Sequence, residues 1–268
     1  MDHPPDYHIH STFSCDSDAT LEQICQSALK RGVTEIAITD HADFEPLDSC
    51  CGYLQPSLQW KAMERCQAQF GGELTIRIGV ECGEAHIYHN EIGSLLSTYD
   101  YDFVLGSVHW VGDRPAFDGD FFDGLELEEG VALYFTELAS LAADGDFDVL
   151  AHADFVRRAA YLRYGLHELD LTHHETQLRA IMQSLVERGK GLEVNTSTLR
   201  RGIGGPGPPV QILRWFREEG GQVITIGSDA HRPEHVGTGF ERALEMIQEA
   251  GFEQLATFYR RRIRWQTL

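Results

Sequence analysis

The chain has 268 residues, 42% of them hydrophobic, and a formal net charge of −20 with histidine neutral. That charge repels a phosphate backbone and argues against broad nucleic-acid binding. No apolar run is long enough to span a bilayer and the N-terminus lacks the shape of a signal peptide, so one cytoplasmic α/β domain over residues 1–268 is expected, without a membrane partner.

In chain order, an apolar-alternating run over 6–10 predicts a first strand, and an amphipathic stretch over 20–31 a first helix. VTEIAIT (33–39) and LTIRIGVE (74–81) read as strands, each followed by a helical pattern, over 57–70 and 87–98. FVLGSVH (103–109) precedes a helix over 127–143, and FDVLAH (147–152) precedes one over 170–188. GLEVN (191–195) leads through the breaker GIGGPGPP (202–209), which lacks the lysine of a phosphate-cradling loop, into a helix over 208–219. VITIGS (223–228) and a helix over 239–250 complete the series, and the closing FYRRRIRWQTL predicts a last strand or helix docked on the body. Seven alternations of strand and helix, with no fixed-period repeat, argue for parallel βα units wound as an open sheet or closed as a barrel.

The chemistry-bearing residues share one position in this pattern. His8 and His10 close the first strand, His41 follows the second, Glu81 ends the third and His109 the fourth. His152 ends the fifth, and Asp229 and His231 follow the seventh. In a parallel barrel all strand C-termini open onto one face, where active sites lie, so residues far apart in the chain converge there. A lone histidine at a strand end is ordinarily a hydrogen-bonded rim residue; six with two carboxylates in the same position point to metal binding. His3, His86, His89, His167, His173, His174 and His235 share no such position and are assigned no metal. The ligand count exceeds the four of a single zinc ion. Two or three divalent ions (Zn, Mn or Fe) sharing a bridging carboxylate fit it, with phosphate-ester hydrolysis by a metal-bridging hydroxide as the chemistry implied.

All six cysteines, Cys15, Cys25, Cys50, Cys51, Cys66 and Cys82, lie in the first third and none forms a C-x-x-C pair. They read as reduced thiols, with Cys15 notable for its place beside Asp16.

HIHSTFSCD, TDH, GVECGE, GSVH, AHAD and GSDAH, in this order, resemble the polymerase and histidinol phosphatase (PHP) superfamily, above all its stand-alone histidinol-phosphatase branch, which LEVNTSTLR also matches. The resemblance runs from about Tyr7 to His235. It implies a distorted (β/α)7 TIM-like barrel with a trinuclear metal centre that cleaves L-histidinol phosphate, a small-molecule phosphate monoester, in histidine biosynthesis. His8, His10, Glu81 and Asp229 would hold one metal; Glu81, His109 and His152 a second; Asp16, His41 and His231 a third, many relatives having histidine in place of Asp16. Phosphate would be gripped by arginines from HADFVRR and NTSTLRR: Arg158 and Arg200 foremost, with their neighbours Arg157 and Arg201 left open, and Asn195 and Ser197 positioning them or lining the pocket. Glu81 would bridge, and Asp229 or Asp16 would protonate the leaving alkoxide. Asp43, Phe44, Glu84, Asp154 and Phe155 are candidates to meet the substrate's ammonium and imidazole.

Of three rivals, the first is rejected and two survive. DSDAT (16–20) fits the D-x-D-x-T signature of aspartyl-phosphate phosphatases, but no apolar strand directly precedes it and it leaves the strand-end histidines unexplained. The same metal site could act on another small ester such as a nucleotide, or the barrel could be a non-catalytic metal-binding module, which an intact ligand set disfavours.

Overall fold

The computed structural model describes residues 3–268. Seven parallel strands form the body: β1 (Asp6–Ile9), β2 (Glu35–Ile38), β3 (Thr75–Gly83), β4 (Phe103–Ser107), β5 (Val149–Leu150), β6 (Gly191–Asn195) and β7 (Ile224–Gly227). They lie side by side in chain order, with the short segment His41–Ala42 also pairing on β3. The ring closes where Ile9 bridges Ala230 in parallel and the His10 N–H donates to the Ala230 carbonyl at 2.8 Å. This is the expected seven-stranded barrel.

The helices are α1 (Leu21–Arg31), α2 (Pro56–Phe70), α3 (His89–Thr98), α4 (Leu127–Asp144), α5 (Val156–Tyr164), α6 (Glu175–Glu187), the single turn α7 (Ser197–Arg200), α8 (Val210–Glu218) and α9 (Phe240–Glu249). Local chemistry fixes their ends. Thr20 and Gln23 form a capping box at the start of α1, and Gly32, at φ 77°, ends it in the left-handed region that a side chain would strain.

Strand residues alternate between two cores. Ile36, Ile38, Val104, Leu150, Leu192 and Val194 face outward and pack with helix residues such as Ile24, Phe135 and Ile181. Their alternates Ala37, Phe103, Leu105 and Val149 join Tyr7 in a separate cluster inside the ring. One face of each strand is therefore committed to the barrel interior, and followed toward the strand C-termini it meets Thr39 and His41, Ser107 and His109. β1 departs from this regularity: its register against β2 slips between Asp6 and Ile9, which aims both Tyr7 and His8 at the interior.

The tail FYRRRIRWQTL lies in a hairpin of β8 (Gln254–Tyr259) and β9 (Arg262–Thr267), not a single strand or helix. Ala256 and Phe258 of β8 enter the interior cluster beside Tyr7 and Phe103, and Arg261 reaches Asp146 and Asp148 at 2.7 and 2.9 Å. The hairpin plugs the end of the barrel where strands begin. α5 and α7 were not anticipated either, although Val156, Ala159 and Ala160 stand at helical spacing and are buried. The helix expected from 170 begins only at Glu175, after a 3-10 turn over Thr172–His174.

Candidate metal centre

Glu81 sits fully buried on the inner face of β3, and each of its oxygens faces its own set of histidines. Oε2 lies 3.2 Å from His8 Nε2, 3.4 Å from His10 Nε2 and 3.2 Å from His41 Nδ1. Oε1 lies 2.9 Å from His152 Nε2 and 3.4 Å from His109 Nε2, and accepts a hydrogen bond from Ser107. Asp229 Oδ1 stands 3.5 Å from His10 Nε2 and 3.4 Å from His231 Nδ1. On the solvent side, Asp16 Oδ2 is 3.0 Å from His231 Nε2 and 3.7 Å from His41 Nε2. All nine residues named as ligands from the sequence are thus gathered at one end of the barrel.

The hydrogen-bond network fixes which ring nitrogens are free. The His8 Nδ1–H donates to Glu193 Oε1 at 2.6 Å, leaving Nε2 as a lone pair in neutral imidazole. Ser14 Oγ donates to Asp40, so it can only accept from His10 Nδ1 at 3.2 Å, and His10 Nε2 is likewise a lone pair. These two lone pairs face one another at 3.0 Å, beside the Glu81 and Asp229 carboxylates. This donor set draws in positive charge: burial opposes a charge on His8, but Glu193, Glu81 and Asp229 raise it well above its ordinary value, so a proton stands in metal-free protein where a cation would bind. Overlapping trios of potential ligand atoms, each trio within 4.8 Å, include His8–His10–Asp229, His8–Glu81–His152, His41–Glu81–His109 and His10–His41–His231. Imidazole and carboxylate suit zinc, iron or manganese.

The electrostatics agree. Burial works against the charged forms of Glu81 and Asp229, yet the surrounding histidines outweigh it and hold both carboxyls well below their usual range. Burial also opposes a charge on His41, but Glu81, Asp43 and Asp16 raise it to about 9. His10, desolvated by burial and flanked by His231 and His41, falls to about 3 and offers a neutral nitrogen.

The ligands open into a cavity of about 360 Å³ that also takes in Asp43, Asp48, Phe117, Phe155, Arg158 and Arg201. A larger open groove of about 460 Å³, around Arg217, Gly251 and Trp265, lies at the opposite end of the barrel and lacks a titratable cluster of this kind.

Two expectations about the arginines need correction. Arg157 is buried with its guanidinium spent on Asp154 at 2.6 Å and the Ile203 carbonyl at 3.0 Å, so it does not face the cavity. Arg200 donates to the Ser228 carbonyl at 2.7 Å and the Asp229 carbonyl at 3.0 Å, which props the backbone of a ligand instead of reaching a substrate. Arg158 does line the cavity, and Arg201, one residue beyond Arg200, lines it too. Asn195 and Ser197 border a narrow side cleft with Arg158 and Arg201.

Among the residues considered for the ammonium and imidazole, Asp43 and Phe155 reach the cavity. Asp43 also contacts His109 Nδ1 at 3.2 Å and His41 Nδ1 at 3.3 Å. Phe44 lines a different depression, and Asp154 pairs with Arg157. Glu84 turns to the backbone N–H groups of His109 and Trp110, where burial pushes its carboxyl up to about 8. Asp48 and Phe117 gave no signal in the sequence beyond their loops. The reading of all six cysteines as thiols is also corrected: Cys15 and Cys50 form a disulfide at the cavity edge, while Cys25, Cys51, Cys66 and Cys82 are free.

Residues 6–197 match the family described as PHP domain. A histidinol-phosphatase of Lactococcus lactis is 29% identical over 260 residues, covering 94% of this chain and 93% of that protein. One from Bacillus subtilis is 27% identical, covering 90% of this chain and 98% of that protein. The fold is similar to a crystal structure of the Lactococcus lactis histidinol phosphate phosphatase complexed with zinc, L-histidinol and phosphate, with a TM-score of 0.86, 27% identity and coverage of 98% of this chain and 99% of that one.

Proposed function

This chain belongs to the PHP domain family, and from that premise we propose that it hydrolyses L-histidinol phosphate to L-histidinol and phosphate. The observation that carries the reading is Glu81: a fully buried carboxylate with a separate histidine set on each oxygen, opening into a cavity that also holds two arginines. Relatives named histidinol-phosphatase that align over nine-tenths or more of this chain support the choice of substrate.

Two or three divalent ions would be held here, zinc first, since the similar crystal structure contains it, with manganese and iron suited to the same donors. His8, His10, Glu81 and Asp229 would hold one, Glu81, His109 and His152 a second, and Asp16, His41 and His231 the outermost. When bound, such ions supply Lewis acidity toward the phosphoryl oxygens and an acidified water as nucleophile.

The remaining work falls to the chain itself. Arg158, whose guanidinium lies 5.8 Å over the Phe155 ring, and Arg201 place two fixed positive charges against the phosphate that the protein's net charge would otherwise repel. Asn195 and Ser197 shape the cleft behind them. Asp229 and Asp16 stand where the cavity meets the ligands, and the neighbouring histidines outweigh burial and keep both ionised, so either would relay a proton from water to the leaving alkoxide and not store one. Asp43 and Asp48, with Phe117 and Phe155, provide the anionic and aromatic surface that an ammonium and an imidazole require. The reaction belongs in the cytoplasm, in histidine biosynthesis.

The test is phosphate release from L-histidinol phosphate beside nucleotides and an aryl phosphate, before and after chelation, with Zn²⁺, Mn²⁺ or Fe²⁺ restored. A strong metal-dependent preference for histidinol phosphate is expected, with His109→Ala and His152→Ala each losing at least about a hundredfold in kcat. Turnover unchanged in either variant would sink the assignment.

A further inference from the structure

The Cys15–Cys50 disulfide joins two loops that meet only at the cavity. Cys15 directly precedes Asp16, in the loop that leaves β1, and lies 35 residues from its partner. Cys50 belongs to the loop between His41–Ala42 and α2, where its N–H donates to Asp48 Oδ1 at 2.6 Å; Asp48 Oδ2 in turn receives the Trp110 indole N–H at 2.6 Å. The sulfurs and the Asp16 carboxylate form one compact group at the cavity wall.

A purely structural staple fits this placement poorly. The barrel has a complete apolar core on both sides of its strands without it, and four other cysteines remain thiols. Cys15 is partly exposed, so a small thiol or disulfide in solution can reach its sulfur, while Cys50 is 6% exposed and waits behind it. In a reducing compartment, a disulfide of this kind is ordinarily transient and tied to function.

The bond also bears on one ligand more than the rest. After Asp16, the loop is anchored by Ser17, whose hydroxyl reaches the His10 carbonyl at 3.1 Å and the His231 carbonyl at 3.0 Å. Before it, the disulfide is the tie to the Cys50 loop. Asp16 is itself half-exposed and, among the described residues, has only His41 and His231 as side-chain partners. Opening the bond leaves Ser14, which donates to Asp40 at 3.0 Å, as the next anchor before Asp16, and removes the covalent tie between the Cys50 loop and this side of the cavity mouth, the loop keeping its Asp48–Trp110 contact.

We propose that Cys15 and Cys50 are a reversible oxidation site that sets how firmly Asp16 holds the outermost metal position and how far the cavity mouth opens. The oxidant is a low-molecular-weight disulfide of the glutathione class. The Cys15 thiolate attacks one of its sulfurs and expels a first thiolate. The Cys50 thiolate then attacks the Cys15 sulfur and expels the second, so two protein thiols become one disulfide while one small disulfide becomes two thiols. The metal half of the proposal rests on Asp16 being a ligand, as read above.

The experiment equilibrates zinc-loaded protein in buffers of graded glutathione and glutathione disulfide. Free thiols are trapped by alkylation and located by peptide mass, and zinc release to a chromogenic chelator is followed after desalting. A single two-thiol transition confined to Cys15 and Cys50 is expected, with about one zinc per chain leaving the reduced form roughly tenfold faster than the oxidised form. Cys15→Ser and Cys50→Ser should behave as the reduced protein at every ratio, and Cys51→Ser as the unaltered one. The proposal is overturned if the pair stays reduced throughout, if both forms release zinc at one rate, or if Asp16→Asn keeps the redox-dependent difference. Should a serine variant not fold, the unaltered protein's two forms still decide the matter. Failure to hydrolyse histidinol phosphate in both redox states would remove the substrate reading and leave these readouts intact.

Discussion

At the scale of single residues, the candidate metal centre depends on a carboxylate that does not line the cavity. Glu193 is almost fully buried on β6 and holds three partners at once: His8 Nδ1 at 2.6 Å, the His152 N–H at 2.8 Å and the Asn195 amide at 3.1 Å. It fixes the His8 tautomer and joins it to the strand end that presents His152. Glu193→Gln can present its NH₂ group toward a nitrogen that must donate, so the His8 ring is free to turn over. An affinity for zinc lowered about 10- to 100-fold is expected, measured by chelator competition, with the folded spectrum retained. An affinity equal to that of the unaltered protein would show that His8 needs no such support. The gathering of the strand-end histidines and carboxylates was legible because strand ends in a parallel barrel share a position. Glu193 was not, because it sits mid-run in GLEVN, where period two alone does not say which face is inward. The arginines failed for a related reason: neighbours on the single turn α7 differ by roughly 100° in direction, so a sequence motif ending in RR could not separate the cavity-facing Arg201 from the backbone-bound Arg200.

At the scale of elements, the close approach of β7 to its neighbours is what admits the metal ligands. A Cβ on Gly227 would collide with the Glu193 carboxylate and with His8 Cβ. Gly227→Ala must therefore push β1, β6 or both away from β7. The expected result is a lower thermal midpoint together with loss of tightly held zinc, read by calorimetry and metal analysis on the same sample. A variant with full zinc content and an unshifted midpoint would mean that the strands yield without cost. The element order was readable because long periodic stretches such as α4 and α6 announce themselves. The nine-residue α5, with three arginines among its apolar residues, and the closing hairpin were too short or too mixed in pattern to do so.

For the molecule as a whole, closure of the ring passes through Asp6. Its carboxylate is fully buried and accepts from the Ser228 N–H at 2.9 Å and the Gly237 N–H at 2.9 Å, tying β1 to the chain beyond β7. Burial raises its pKa from 3.8 to about 6, against the pull of those hydrogen bonds. Because the folded state then holds the proton more tightly than the unfolded state, this group's contribution to stability is full below pH 3.8 and is lost as pH rises through about 6. In metal-free protein the stability of the native chain relative to Asp6→Asn should therefore shrink by about 2 kcal/mol between pH 4 and 7, as measured by urea unfolding. A difference that does not change with pH would refute the shift. Other titrating groups are common to both chains and cancel in the comparison.

The hairpin at the far end has a kinetic meaning as well. With Phe258 packed against Tyr7 and Phe103, the barrel is a blind tunnel, and everything that enters it must leave by the same door. On the proposed reaction, both products would have to leave past the same mouth, and the loops that Cys15 and Cys50 join border it.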